Sequence, residues 1–141
     1  MKQIEDIAKN LALGYVWGTY KEAEYAFDRK KREEFPCVCE LFALKGSFEL
    51  KYECVKDSQE ITLLFVEVDP SKTHNSPETS AIIDRMKSKA LEYITALNQT
   101  GEFETIDETT LQYYGIVKQF AKCLTGIEIT LNLKPTKAVC L

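Results

Sequence analysis

The feature that most constrains this fold is a strict alternation of apolar and polar side chains in two separate segments. The first runs from residue 48 to 54 and the second from 127 to 134, and in both every second residue is apolar. Successive side chains of a β-strand point to opposite faces, so each segment predicts a strand with one buried face and one solvent face. The chain must therefore contain a sheet that is antiparallel at least in part.

Turn residues divide the first half of the predicted sheet. Residues 37–44 are apolar, and Lys45-Gly46-Ser47 predicts a turn that joins them to the strand 48–54 as a β-hairpin. Asp57-Ser58-Gln59 predicts a second turn into a strand over 61–68. Apolar residues occupy both faces of that strand, which favours a central position, and Asp69-Pro70 ends it.

Two segments carry the helical period of apolar residues. Residues 2–13 predict an amphipathic helix that ends at Gly14. A longer helix is predicted from Ser76 as cap and Pro77 as first residue to Gly101. The highly charged residues 21–34 predict a solvated loop that can contain a helical turn, and residues 71–76 predict a polar loop. Residues 103–110 fit a short strand or a loop, and 111–124 fit either a helix or a strand.

These elements predict the fold class. A chain of 141 residues fits one domain, here 1–141, with 135–141 as a C-terminal tail. We expect an α+β fold: an antiparallel or mixed sheet of about four to five strands, with the N-terminal helix and the long helix packed on one face.

The net charge bears on the kind of partner, and the apolar runs and the cysteine count bear on the compartment in which the protein is made. A formal net charge of −4 argues against a sequence-specific nucleic-acid ligand, which requires a basic face. No apolar run is long enough to span a membrane, and the N-terminus lacks the apolar core of a signal peptide. We therefore expect synthesis in a cytoplasm, with the five cysteines reduced, since an odd count fits a disulfide framework poorly.

Three groups of residues are candidates for chemistry. His74 is the one histidine and lies in a polar loop, where a solvated role is the commoner one. Cys37 and Cys39, with Cys54, could form part of a metal site, but small cysteines also pack well in a core. Glu49-x-Lys51 fits the E-x-K of a nuclease family, with Asp28 or Glu40 as the further acid. We predict no catalytic, metal or cofactor site, because each pattern has an ordinary structural reading.

The order of elements resembles that of tail terminator and related neck proteins of tailed bacteriophages. The first strand opens with Phe35-Pro36-Cys37-Val38-Cys39, similar to the F-P-x-V-x-V pattern of those proteins. The strand 61–68 ends at Asp69-Pro70 and leads into one long helix, and residues 124–131 are similar to their closing strand. The resemblance covers nearly the whole chain as a pattern, although the segment before the last strand is longer and more aromatic.

The resemblance implies a non-enzymatic virion protein that forms a homo-oligomeric ring, six-fold or twelve-fold, at the tail terminus or head–tail neck. Such a ring joins neighbouring neck or tail proteins around the DNA channel after synthesis in the host cytoplasm. Aromatic residues are enriched at the centres of protein interfaces. The residues predicted to form subunit contacts are Tyr15, Trp17, Tyr20, Tyr113, Tyr114 and Phe120.

A basic cluster, Arg29, Lys30, Lys31 and Arg32, is predicted to form a partner-docking loop. Three alternatives stay open at this point. The aromatic residues of the 15–27 segment can instead cover an open sheet face within one chain. The protein can also be a metal-dependent nuclease that uses Glu49 and Lys51, or a monomeric adaptor that binds one protein partner.

Overall fold

A six-stranded mixed sheet forms the middle layer of the molecule. The computed structural model describes residues 1–72, 76–106 and 111–141, with residues 43 and 44 described by their backbone alone. His74 therefore lies outside the described residues, as do parts of the predicted segments 71–76 and 103–110. The elements are α1 Lys2–Asn10, β1 Gly14–Gly18, α2 Tyr20–Arg29, a short 3₁₀ helix Arg32–Glu34, β2 Cys37–Lys51, β3 Cys54–Val68, α3 Pro77–Thr100, β4 Tyr113–Gln119, β5 Leu124–Leu133 and β6 Val139–Cys140.

The strand order is β1-β2-β3-β5-β4, and β6 pairs with the start of β3. β1 runs parallel to β2, and the other pairs are antiparallel. The predicted α+β class with a mixed sheet is confirmed. The expected four to five strands are too few, partly because 135–141 is more than a tail: Val139 and Cys140 form β6.

Helices cover both faces of the sheet. The main core lies between the sheet and the helices α1 and α3, as predicted for these two helices. A second core lies on the opposite face, under α2. The alternation of β3 produces this arrangement: Leu63 and Phe65 enter the main core, whereas Leu64 and Val66 enter the second one.

The helix α2 corrects the predicted loop over 21–34. Thr19 begins it with a capping box, in which its hydroxyl accepts from the Glu22 amide and the Glu22 carboxylate accepts from the Thr19 amide. Ala23 and Phe27, four residues apart, bury their side chains in the second core. The T-x-x-E sequence at 19–22 is a local signal for this helix that the charge density of the segment conceals.

One long hairpin replaces the two predicted turns of the first half. β2 continues through Gly46, and β3 runs through Asp57, Ser58 and Gln59. The chain reverses instead at Tyr52 and Glu53, whose φ angles of 49° and 62° are those of a tight type I′ hairpin turn. A two-residue bulge in β2 between Leu41 and Lys45 absorbs the change in register.

The second half agrees more closely with the prediction. α3 begins after Ser76, whose hydroxyl accepts from the Thr79 amide, and ends at Gly101 with φ of 71°. The ambiguous segment 111–124 contains the strand β4 and no helix among its residues. No helix in the described part of the chain is long and apolar enough to cross a membrane.

A buried carboxylate joins three elements where β3 ends. Asp69 accepts hydrogen bonds from the hydroxyl groups of Thr79 in α3 and Thr125 in β5, at 2.7 and 2.8 Å. Its other oxygen accepts from the Ser71 amide at 3.0 Å. Burial raises the pKa of Asp69, but these hydrogen bonds lower it more, to about 2. Asp69 is therefore ionised at neutral pH and holds the start of α3 against the sheet.

Candidate assembly surfaces

Two of the six predicted interface residues, Tyr15 and Phe120, are half-buried in contacts within the chain. The Tyr15 hydroxyl donates to Oε1 of the buried Glu40 at 2.7 Å, and the same oxygen accepts from the Met1 amino group at 2.9 Å. Burial and the Glu40 carboxylate both raise the pKa of Tyr15. Phe120 meets the buried Phe27 edge to face, with ring centres 5.2 Å apart. Both aromatic residues stabilise the folded chain, and Tyr15 belongs to the 15–27 segment for which the alternative interpretation expected contacts within one chain.

The other four predicted interface residues are exposed. Trp17 lies on the outer strand β1, 54% exposed, with its ring 4.4 Å from that of Phe42. Tyr113 and Tyr114 lie on β4, the outer strand at the opposite edge. Tyr20 is exposed at the start of α2 and donates to Glu128 at 3.2 Å. Trp17 and Tyr113 thus lie at opposite edges of the sheet, whereas Tyr20 contacts Glu128, the β5 residue that pairs with Tyr114.

The basic cluster is only partly a loop. Arg29 is the last residue of α2, where a cation interacts favourably with the carbonyl end of the helix. Lys30 and Lys31 connect this helix to the 3₁₀ helix that Arg32 begins, and the Lys31 amide donates to the Glu34 carboxylate at 2.7 Å. Arg29, Lys31 and Arg32 are exposed and Lys30 is half-buried. Three of the four charges are therefore accessible to a partner.

The three candidate metal cysteines are not brought together. Cys37 and Cys39 lie in the second core, where burial raises the pKa of each thiol to about 12. Cys54 lies at the far end of the hairpin and forms a disulfide with Cys140, with a sulfur–sulfur distance of 1.97 Å. The expectation that all five cysteines are reduced is therefore wrong for this pair, which fastens β6 to β3. No group of three potential metal-binding side chains occurs among the described residues.

The E-x-K pattern does not converge with either proposed acid. Glu49 forms an ion pair with Lys134 at 2.7 Å, and this contact lowers the pKa of Glu49. Glu40 is buried on the main-core side in its contact with Tyr15. The two glutamates are nine positions apart in one strand, which is about 30 Å of extended chain. Asp28 is exposed on α2.

The far part of the hairpin, residues 45–60, extends beyond both cores, and β6 adds a third strand to it; we call this unit the β-arm. Leu50 pairs with Val55, which in turn pairs with Val139. Phe48 lies on the same face of β2 as Leu50. These four residues form an apolar strip in which Phe48 and Leu50 are 73% and 74% exposed. The predicted buried face of the strand 48–54 is thus wrong for the single chain, since neither α1 nor α3 reaches it.

A second apolar surface lies between α3 and the edge of the sheet; we call it the helix–strand groove. It is an almost wholly apolar depression of about 170 Å³. Leu91 and Ile94 of α3 form one wall, and Leu111, Tyr113 and Ile127 form the other. Leu91 is 65% exposed. Lys87 lies at the rim, with its Nζ 4.7 Å from the centre of the Tyr113 ring.

No family model and no curated protein matches this chain. The argument about its function therefore depends on its own surfaces.

Sequence reasoning missed both the β-arm and the helix–strand groove. The alternation over 48–54 revealed that one face is apolar, but only the structure shows that Phe48 and Leu50 stay exposed among the described residues. Leu91 carried a weaker signal, because it lies off the predicted apolar face of the long helix and is nevertheless a large apolar residue.

Proposed function

We propose that this protein is a non-enzymatic structural subunit that assembles with copies of itself into a ring at a phage tail terminus or head–tail neck. The observation that carries the proposal is the exposed apolar strip of the β-arm. The sequence alternates there as regularly as in β5, whose apolar residues from Ile127 to Leu133 are buried. A period-two pattern of this kind is typical of a strand that is covered on one face.

The free energy gained by burying the apolar strip favours assembly. Covering one large apolar side chain contributes about 1.5–3 kcal/mol, and the strip carries several. Contiguous exposed apolar patches on a soluble protein mark surfaces for association. Further apolar surface lies at both sheet edges, at Trp17 on β1 and at Tyr113 on β4. Different surfaces on opposite sides of one subunit suit a head-to-tail contact, which closes into a ring when the rotation between subunits permits it.

The place in a virion rests on the resemblance of the element order to tail terminator and neck proteins. The α+β fold with one long helix after the central strand agrees with that order. A net charge of −4 also suits a channel through which DNA must pass without binding. Arg29, Lys31 and Arg32 supply an exposed basic surface for a neighbouring neck or tail protein.

The mass of the purified protein tests the ring. Light scattering coupled to gel filtration over a concentration series should give a discrete species of six or twelve chains, seen as rings by negative-stain microscopy. A mass of one chain, 16.1 kDa, at every concentration would contradict the ring and favour a monomeric adaptor.

Trp17→Ala should weaken assembly and leave the fold of the subunit largely intact. Trp17 is half exposed and, among the described residues, its ring packs against that of Phe42, so removing it costs the monomer little. Loss of an interface aromatic residue typically raises a dissociation constant about tenfold or more. Tyr25→Ala, at an exposed aromatic residue of α2 outside the predicted set, is the matched control. If Trp17→Ala unfolds the chain but the refolded variant still forms rings, Trp17 does not belong to the interface.

A further inference from the structure

We infer that the β-arm of one chain docks with its apolar strip in the helix–strand groove of a second copy of this chain. The inference rests on the proposed ring and identifies one contact between its subunits.

The apolar strip occupies one face of the β-arm, and the other face carries ion pairs within the chain. On the other face Glu49 pairs with Lys134 at 2.7 Å, Lys45 with Glu60 at 3.6 Å, and Lys56 with Glu104 at 3.6 Å. Backbone pairing with both β2 and β6 holds the first residues of β3 in place. The arm therefore presents a preformed apolar face, which loses little conformational entropy when it binds.

The groove has the size and the lining for side chains of such a strip. Small-molecule sites usually enclose about 300–1,000 Å³, whereas this depression has about 170 Å³. A space of this size suits one or two apolar side chains better than a cofactor. Its walls are aliphatic and aromatic, and Leu91 and Tyr113 are substantially exposed in the single chain.

The arm of a chain does not reach its own groove. Ile129 in the groove region pairs with Leu63 of β3, whereas the strip includes Val55 of the same strand. These positions are eight residues apart, which is about 26 Å along an extended strand. Pairing with the neighbouring strands keeps this segment of β3 extended as one continuous strand. The groove that receives the arm must therefore belong to another molecule.

The charges of the two surfaces are complementary. Asp57 lies beside Phe48 in the strand register, on the same face as the strip, and its described partner is the neutral side chain of Gln59 at 3.4 Å. Lys87 lies at the rim of the groove. Opposite charges at the border of an apolar contact set its register and discriminate against wrong partners. A second copy of the chain supplies both the apolar match and this pair.

The contact joins two different surfaces, so each subunit uses both at once. Leu50→Glu should disable the arm, and Leu91→Glu should disable the groove. Each variant should raise the dissociation constant of the assembly about 30-fold, the size of a hot-spot substitution. Both residues are exposed, so circular dichroism should match that of the wild type. The controls make the same change of charge elsewhere: Lys51→Gln on the other face of the arm and Gln99→Glu on α3 outside the groove.

Mixing the two disabled variants tests the pairing directly. Leu50→Glu retains an intact groove and Leu91→Glu retains an intact arm, so their mixture should form a one-to-one dimer that grows no further. The double variant Asp57→Lys with Lys87→Glu should recover assembly that either single change weakens. Light scattering measures both effects.

Three outcomes overturn the inference. If rings survive Leu50→Glu or Leu91→Glu, the ring stands and the arm-in-groove contact is wrong. If Leu50→Glu abolishes rings and Leu91→Glu does not, the arm binds elsewhere, for example to another arm. If the wild type is monomeric throughout, the proposed ring fails as well.

Discussion

Gly126→Ala is expected to lower the free energy of unfolding by about 3 kcal/mol or more. Gly126 lies in β5 opposite Val66 of β3. A Cβ atom at this position would be 1.7 Å from the carbonyl oxygen of Phe65 and 2.8 Å from its carbonyl carbon. Because these are backbone atoms, no rotation of a side chain relieves the clash, and the two strands must separate.

The separation would occur where the sheet is buried on both faces. Phe65 packs in the main core and Val66 in the second core, so a shift of β3 disturbs both. In thermal denaturation this loss corresponds to a fall in Tm of about 10 °C for a chain of this size.

Gly115→Ala is the matched control for Gly126→Ala. Gly115 lies in the outer strand β4, and a Cβ atom there would meet no atom within 4 Å. This change should alter the free energy of unfolding by less than about 0.5 kcal/mol. Equal stabilities of the two variants would show that the register between β3 and β5 is wrong.

The elements that the sequence predicted well are those in which local chemistry and the core agree. Ser76, Pro77 and Gly101 mark the ends of α3 because cap hydroxyls, a missing amide hydrogen and a positive φ act within one turn. The alternation over 127–133 predicts the buried face of β5 correctly because the main core covers it.

The errors occur where partners distant in the sequence decide the structure. Gly46 and the segment 57–59 have turn chemistry, but pairing between β2 and β3 keeps both extended. The actual turn uses Tyr52 and Glu53, which are poor turn residues, so local preference could not locate it. α2 carried its capping box in the sequence, but its charged composition favoured a solvated loop.

The predicted interface residues of β1 show the same limit of sequence-based prediction. Tyr15 and Trp17 are two residues apart on β1 and therefore point to the same face. Tyr15 donates to the buried Glu40, whereas Trp17, which pairs with the same Glu40 in the strand register, is exposed. Residue type suggested both as contacts between subunits. Only the contacts made in the folded chain separate the one that supports the fold from the one that is exposed.

Asp69→Asn is expected to cost about 2 kcal/mol of unfolding free energy at pH 7 and much less at pH 2. The carboxylate accepts two hydroxyl hydrogen bonds through one oxygen, from Thr79 and Thr125, and an asparagine amide group cannot accept these and the Ser71 amide bond equally well. The variant therefore loosens the junction of β3, α3 and β5 at every pH.

The pH dependence of the unfolding free energy shows how much the negative charge of Asp69 contributes. Its pKa is about 2 in the folded chain, below its ordinary value of 3.8. A lowered folded pKa gives stability that is fully present above the unfolded value and is lost as the pH falls from about 4 to about 2. Wild type should lose this contribution over that interval, and Asp69→Asn has no such carboxylate to protonate. The stability difference between the two proteins should therefore shrink with falling pH.

Urea denaturation at pH values between 2 and 7 measures this difference. Asp84→Asn, which removes an exposed carboxylate of α3, controls for the loss of one negative charge and should change stability by less than about 0.5 kcal/mol at pH 7. If the difference in unfolding free energy between wild type and Asp69→Asn stays constant from pH 2 to pH 7, the negative charge of Asp69 does not contribute to stability. By linkage, folding would then not lower the pKa of Asp69, the hydrogen bonds from Thr79 and Thr125 would not favour its charged form, and the start of α3 would be held by packing against the main core.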